Sequence, residues 1–172
     1  MVTVAAVAEE ADVAQTTFYA HFDSREAFLD AVRLRTVQRF RVLTNSMVEA
    51  DKPAEVRLAA FVRTVMLASM THRDGVRYWL SVGSNGRTHD GEFYSLMREI
   101  IADGAEIGTF TTVRDAELSM RMFVGAVLSA LRVEVGREAD GDTGDWAAVA
   151  SQCLRLLGVP ADRVIETIEG LR

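Results

Sequence analysis

Apolar residues near the start of the chain recur at the spacing of a short helix. The positions i, i+3, i+4 and i+7 of one face are held by Val4, Val7, Ala8 and Ala11. Thr3 stands just before them, where its hydroxyl can accept a hydrogen bond from a first-turn amide. The pattern therefore predicts a short helix that begins after Thr3.

A second short pattern and a long third one follow. After a break at residues 12–13, Phe18 and Phe22 lie one helical turn apart on a segment whose other face is polar. Ser24 can cap a third helix, which meets no helix breaker before residues 51–53. Two short helices joined by a tight turn form a helix-turn-helix, whose second helix enters the DNA major groove.

The rest of the chain reads as helices separated by loops of glycine, proline and acidic residues. Apolar stripes run over residues 58–69, 93–101, 120–135 and 146–157, and a last amphipathic segment follows Pro160. Asp115 and Pro53 suit helix starts, and Gly158 suits a helix end. No alternation of strand type is visible, so we predict an all-α chain.

Composition sets the compartment and excludes a membrane span. The 172 residues are 49% hydrophobic, enough for a sizeable core. Cys153 is the single cysteine, which excludes an internal disulfide and fits a reducing compartment. No apolar run reaches the roughly 18 residues of a membrane helix, and no signal-peptide pattern follows Met1. We expect a soluble, cytoplasmic protein.

The first helices carry a more specific pattern. From Thr3 to Leu29 the sequence follows T-V-x-x-V-A-x-x-A-x-V-x-x-x-T-F-Y-x-H-F-x-S-R-E-A-F-L. This run resembles the DNA-binding signature of the TetR (tetracycline repressor) family of bacterial regulators. Asp12 departs from it, because the family usually has glycine at this left-handed turn position. The family's first helix, which precedes the signature, is also absent, so we expect Val4, Val7 and Phe22 to lack part of their cover.

The resemblance implies roles for the polar residues of the second helix and its neighbours. Gln15, Thr16 and Thr17 would face bases, while Thr3, Tyr19, His21 and Arg25 would hold the phosphate backbone. Gln15 can form two hydrogen bonds to an adenine edge, and the Thr17 hydroxyl and methyl suit thymine. The alternative interpretation of the same residues is a solvated polar face on a small helix.

Charge does not by itself indicate nucleic acid. The chain has a net charge of −6, and residues 1–45 hold five arginines against six acidic residues. A DNA-binding domain typically shows a basic footprint instead. An alternative function is therefore a dimeric ligand-binding or interaction module that no longer binds DNA.

Aromatic and methionine residues in the middle of the chain are candidates for an effector pocket, because the family binds ligands among its central helices. Pockets are mostly apolar with a few polar anchors, and His72, Asn85 and His89 are the nearby polar candidates. Ordinary core packing is the alternative for each apolar residue. The apolar candidates are Phe61, Met66, Met70, Tyr78, Trp79, Phe93, Met97, Met122 and Phe123.

Two late helices have wide apolar faces with many small residues, which permit close helix approach. The resemblance places them in a four-helix bundle between two subunits, and packing within one chain is the alternative. The candidate interface residues are Phe123, Val127, Leu131, Val149, Cys153 and Leu154.

No other chemistry finds support in the sequence. Residues 140–145 resemble a calcium loop, but Gly144 and Ser151 occupy two of its ligand positions. The histidines and the cysteine lack metal-ligand spacing, and no nucleophile or phosphate-loop motif is present. We therefore expect no metal, no cofactor and no enzymatic activity. The resemblance implies a homodimeric, ligand-responsive repressor, with residues 1–45 for operator DNA and residues 46–172 for an unidentified effector and dimerisation.

Overall fold

The computed structural model describes residues 3–45, 51–73, 75–77, 80, 92–136 and 145–172. All regular secondary structure in these ranges is helical, which confirms the all-α prediction. The chain divides into two compact units, Met1–Phe40 and Arg41–Arg172.

The smaller unit contains two short helices and the first part of a long one. These are α1 (Val4–Glu10), α2 (Gln15–His21) and α3 (Arg25–Asn45). α1 and α2 pack against each other across the predicted tight turn. Val4, Val7 and Phe22 are half-buried, whereas Ala8 and Phe18 are buried. The helix-turn-helix predicted from the spacing of apolar residues is confirmed.

The larger unit is built around one central helix. Its described helices are α4 (Ala54–Thr71), α5 (Glu92–Glu106), α6 (Ala116–Gly136), α7 (Trp146–Leu156) and α8 (Ala161–Glu169). α4 contacts all four of the others, and most extensively α7. Buried side chains at Leu58, Val62, Val65 and Ser69 recur at helical spacing along α4. This wide inward face explains why α4 forms the centre of the unit.

Short polar side chains fix the starts of four helices. Thr3 Oγ1 accepts from the Ala6 amide (3.2 Å), and Ser24 Oγ accepts from the Ala27 amide (3.0 Å). Asp115 Oδ1 accepts from the Glu117 and Leu118 amides, and Asp145 Oδ1 from the Ala148 amide. Each bond satisfies an amide that the helix itself leaves without a partner. The starts predicted at Thr3, Ser24 and Asp115 are confirmed.

A glycine ends α7 at a close contact with the α5–α6 loop. Gly158 has φ +83°, and the amide of Val159 donates to the Leu154 carbonyl oxygen (3.1 Å). The Thr111 hydroxyl donates to the Gly158 carbonyl oxygen (2.8 Å). A Cβ at Gly158 would clash with Thr111 Oγ1 and lie 2.7 Å from the backbone nitrogen of Thr112. Both the left-handed conformation and the contact therefore require glycine.

Two ion pairs connect the first turns of α4 to other helices. Arg163 Nη2 of α8 lies 3.0 Å from Glu55 Oε1, and Arg57 Nη1 lies 3.9 Å from Asp103 Oδ2 of α5. The Glu55 side chain is only 4% exposed, whereas that of Arg163 is 50% exposed. A buried carboxylate needs such a partner, because burial without one is costly.

No helix among the described residues is both long and apolar enough to cross a membrane.

Candidate functional site

The turn between α1 and α2 depends on one left-handed residue. The amide of Val13 donates to the Ala8 carbonyl oxygen (2.9 Å), and the amide of Asp12 donates to that of Glu9 (3.1 Å). This pair of bonds is a Schellman motif, which needs a residue of positive φ after the helix. Asp12 supplies it with φ 52°. The left-handed turn predicted at Asp12 is confirmed, and it fixes where α2 begins.

Three phenylalanine rings position α2 from the inside. The ring centroids of Phe18, Phe22 and Phe28 lie 5.4, 5.3 and 5.1 Å apart in the three pairs. These separations are typical of stabilising aromatic contacts. Phe18 is buried, and Phe28 belongs to the first turn of α3. The cluster therefore holds the inner side of α2 against the start of α3.

The opposite side of α2 presents polar groups to solvent. Gln15, Thr16 and Thr17 are exposed, and so are Tyr19 and His21. Gln15 and Tyr19 lie one turn apart on one flank of this exposed side, and Thr17 and His21 lie one turn apart on its other flank. Thr16 lies between the two flanks. The amide and the two threonine hydroxyls of this exposed side can bond base edges, which offer both donors and acceptors in the major groove.

Two of the predicted phosphate contacts already have partners within the chain. Thr3 Oγ1 accepts the Ala6 amide, but its hydroxyl hydrogen can still donate to a phosphate oxygen. Arg25 is half-buried, and its Nη1 lies 3.2 Å from Glu26 Oε1. All seven residues predicted to contact DNA belong to the smaller unit.

Four of the predicted pocket residues are interior to the larger unit. Phe61, Met66, Met97 and Phe123 are buried. The rings of Phe61 on α4 and Phe123 on α6 face each other with centroids 6.2 Å apart. These side chains come from three helices that pack together.

The other pocket candidates are placed differently. Met70 and Met122 are exposed. His72 is exposed at the end of α4. Tyr78, Trp79, Asn85 and His89 lie outside the described residues, as does the side chain of Phe93.

Most residues predicted for a subunit interface are buried within the single chain. Phe123, Val127, Leu131, Cys153 and Leu154 are inaccessible, and only Val149 is half-buried. The outward side of α6 carries other apolar residues, because Leu118, Met122 and Val133 are 56%, 49% and 58% exposed. The five inaccessible residues that the apolar pattern selects thus lie on the inward side of their helices. The pattern locates the helices but not their outward side.

Burial also determines the chemistry of the cysteine. Desolvation raises the pKa of the Cys153 thiol to about 11. The thiol is therefore neutral and unreactive in the folded chain, since the thiolate is the reactive form.

The sequence pattern does not reveal one buried cation. Arg57 projects from α4, and its Nε is buried without a hydrogen-bond partner in the described structure. An arginine in the first turns of an amphipathic helix is ordinarily solvated, so the sequence carried no signal for it. In the part of the chain that the structure describes, no three histidine, cysteine or acidic residues are grouped to hold a metal ion.

Several solved structures share the fold of this chain. The chain superposes on RolR without ligand with a TM-score of 0.69 and 24% identity, covering 98% of this chain and 86% of that one. RolR in complex with resorcinol gives 0.68 and 19%, with 97% and 82% covered. The fatty acid degradation regulator FadR from Bacillus halodurans gives 0.70 and 18%, with 91% and 84% covered.

Comparison of the amino-acid sequence with protein families leads to a membership. No curated protein matches the chain significantly. The family model for bacterial regulatory proteins of the tetR family matches residues 1–32. The model for the tetracyclin repressor-like C-terminal domain matches residues 52–169, which is more than half of the chain. The chain therefore belongs to the tetR family of bacterial regulators.

Proposed function

We propose that the chain is a dimeric, ligand-responsive transcriptional repressor. Residues 1–45 would bind operator DNA, and residues 46–172 would bind an effector and pair two subunits. The observation that carries this proposal is the exposed polar side of α2, within the segment that matches the tetR family. Three packed phenylalanine rings hold the inner side of the same helix and so orient its polar residues outward.

Among the seven candidate DNA contacts, base readers and phosphate contacts divide by chemistry. The Gln15 amide suits adenine, and Thr16 and Thr17 offer hydroxyls to neighbouring bases. Phosphate contacts would fix the register of the helix without reading sequence. The residues proposed for that role are Thr3, Tyr19, His21 and Arg25.

A dimer would place two reading helices in successive major grooves of a palindromic site. The exposed apolar residues Leu118, Met122 and Val133 on α6 support a two-fold interface, because such a patch is unusual on a monomer. Gly125 and Ala126 lie between them and permit close approach of a second helix. We infer that this side of α6, together with Val149 of α7, meets the partner.

An effector would act by binding one conformation of the dimer better than the DNA-bound one. Phe61, Met66, Met97 and Phe123 support an apolar ligand site between α4, α5 and α6. Resorcinol, the ligand in the RolR complex, is a reasonable first compound for a screen. A true effector should raise the melting temperature of the protein and weaken its binding to DNA.

Selection from random-sequence duplex DNA tests the proposal directly. The wild type should enrich a palindromic sequence. Gln15→Ala should weaken binding to it by about 1–3 kcal/mol and relax preference at one base pair per half-site. Gln38→Ala, the same change at an exposed position of α3, is the matched control and should leave preference unchanged. Equal weakening on every sequence by Gln15→Ala would exclude its role as a base reader.

The alternative is a dimeric ligand-binding or interaction module without DNA binding. Arg25 is the one arginine or lysine in residues 1–32, which favours this alternative, because nonspecific affinity comes from phosphate contacts. A protein that binds no duplex even at low salt, yet remains a dimer in light scattering, would support it.

A further inference from the structure

The segment that matches the tetR family, residues 1–32, has more acidic than basic side chains. Residues 1–32 contain one guanidinium and no lysine. Their six acidic side chains are all exposed: Glu9, Glu10, Asp12, Asp23, Glu26 and Asp30. Electrostatic attraction of this segment to DNA phosphates therefore depends on Arg25 more than on any other side chain in it.

The guanidinium of Arg25 is paired with the carboxylate of the next residue. Its Nη1 lies 3.2 Å from Glu26 Oε1, and the two side chains are 35% and 73% exposed. Glu26 belongs to the first turn of α3, where the helix dipole favours a negative charge. The Ser24 cap fixes the backbone of the same turn. The carboxylate and the guanidinium thus belong to one capped helical turn, and they contact each other at 3.2 Å.

We propose that Glu26 sets DNA affinity by competing with phosphate for the guanidinium of Arg25. This inference rests on the proposed DNA-binding function. A phosphate oxygen can engage Arg25 fully only if it displaces the Glu26 carboxylate or shares the guanidinium with it. The competition weakens binding to every sequence equally, because phosphate contacts carry no sequence information. Base contacts by α2 then contribute a larger share of the total affinity, and nonspecific binding is suppressed.

Five proteins separate this competition from simple charge repulsion. They are the full-length wild type, Glu26→Gln, Arg25→Ala, the double variant of these two changes, and Glu10→Gln. Binding is measured by fluorescence anisotropy on labelled duplexes of about 30 base pairs, long enough for two half-sites one or more helical turns apart. One duplex has mixed sequence, and the other is the sequence selected by the wild type. Each titration is repeated across a series of salt concentrations.

Glu26→Gln should tighten binding to both duplexes by roughly two- to fivefold per subunit, the range of exposed ion pairs. Its plot of log affinity against log salt should steepen by about one phosphate contact per subunit. In the Arg25→Ala background the same change should have almost no effect, because the contested cation is gone. Glu10→Gln removes an equal charge from the end of α1 and serves as the control for general repulsion.

The other possible outcomes contradict either the competition alone or the proposed function as well. A gain from Glu26→Gln that persists in the Arg25→Ala background, or that Glu10→Gln equals, would mean general repulsion and would overturn the competition. Unchanged binding in Glu26→Gln, with helix content unaltered by circular dichroism, would do the same while leaving the repressor proposal intact. If neither the wild type nor Glu26→Gln binds either duplex at the lowest salt, both the proposed function and the inference fail.

Discussion

The two compact units of the chain differ greatly in how much core they contain. In the described part of the larger unit, eight apolar side chains bigger than alanine are 0% exposed: Leu58, Val62, Met97, Ile100, Ile101, Met120, Phe123 and Leu154. In the described part of the smaller unit, Ala8 and Phe18 are the buried apolar residues, and their exposures are 3% and 5%. Apolar burial is the main favourable term in folding, so the smaller unit has far less to hold it together.

The difference in buried core fits different roles for the two units. Elements that move on binding come from the parts of a protein with low local stability. Under the proposed function, the smaller unit, with the exposed polar side of α2, would adjust its fit to DNA. The larger unit would supply the well-packed core around α4, among whose helices the effector would bind.

The largest expected effect is on the core of the larger unit. Phe123→Ala removes a fully buried ring and should lower the free energy of unfolding by about 3–5 kcal/mol. Urea denaturation followed by circular dichroism measures this loss. Phe18→Ala is the matched change in the smaller unit and should leave the main transition almost unmoved, while speeding hydrogen exchange in α1 and α2. Equal loss in both variants would mean that the two units unfold as one.

The next effect concerns the end of α7. Gly158→Ala forces a left-handed residue with a side chain against the Thr111 hydroxyl. The left-handed conformation alone costs about 1–2 kcal/mol for a residue with a Cβ, and the clash adds to it. The main urea transition should shift accordingly. Gly136→Ala is the control, because a Cβ there meets no atom within 4 Å. Similar stability of the two variants would contradict the close contact.

A smaller loss is expected from the ion pair on α4. Arg163→Ala leaves the buried Glu55 carboxylate without this partner, and the partial exposure of Arg163 limits the cost to about 1–2 kcal/mol. Alkylation of Cys153 reports opening of the larger unit, since burial keeps this thiol unreactive. Arg163→Ala should accelerate alkylation, and Arg163→Lys should restore much of the protection. No acceleration would show that the pair contributes nothing to the stability of the unit.

The smallest effect should have the opposite sign and occur in the smaller unit. Asp12 and Gly158 occupy the same left-handed position of two Schellman motifs. Asp12→Gly relieves the strain of a side chain at positive φ, although glycine also gains entropy when unfolded. The net stabilisation should be under about 1 kcal/mol, seen as slower hydrogen exchange in α1 and α2. Faster exchange would indicate that the Asp12 side chain itself stabilises the turn.

Helix boundaries were the part most readily predicted from sequence. Thr3, Ser24 and Asp115 bond amides within three residues of themselves, so their role depends on local chemistry alone. The spacing of apolar residues likewise predicts α1, α2 and the long helices that follow. Most of the candidate DNA contacts lie on one short helix, and the resemblance of the surrounding segment to the tetR family predicted their roles.

The sequence by itself thus determined the helices, several of their caps and the polar side of α2, because each of these depends on interactions between residues a few positions apart. Only the tertiary structure decided which side of a helix is inside. Periodicity marks an apolar face on α6, but Phe123 and Val127 are buried while Leu118 and Met122 are exposed. The pairing of Glu55 with Arg163 is likewise tertiary, because the first and last helices of the larger unit must meet before the two charges can neutralise each other.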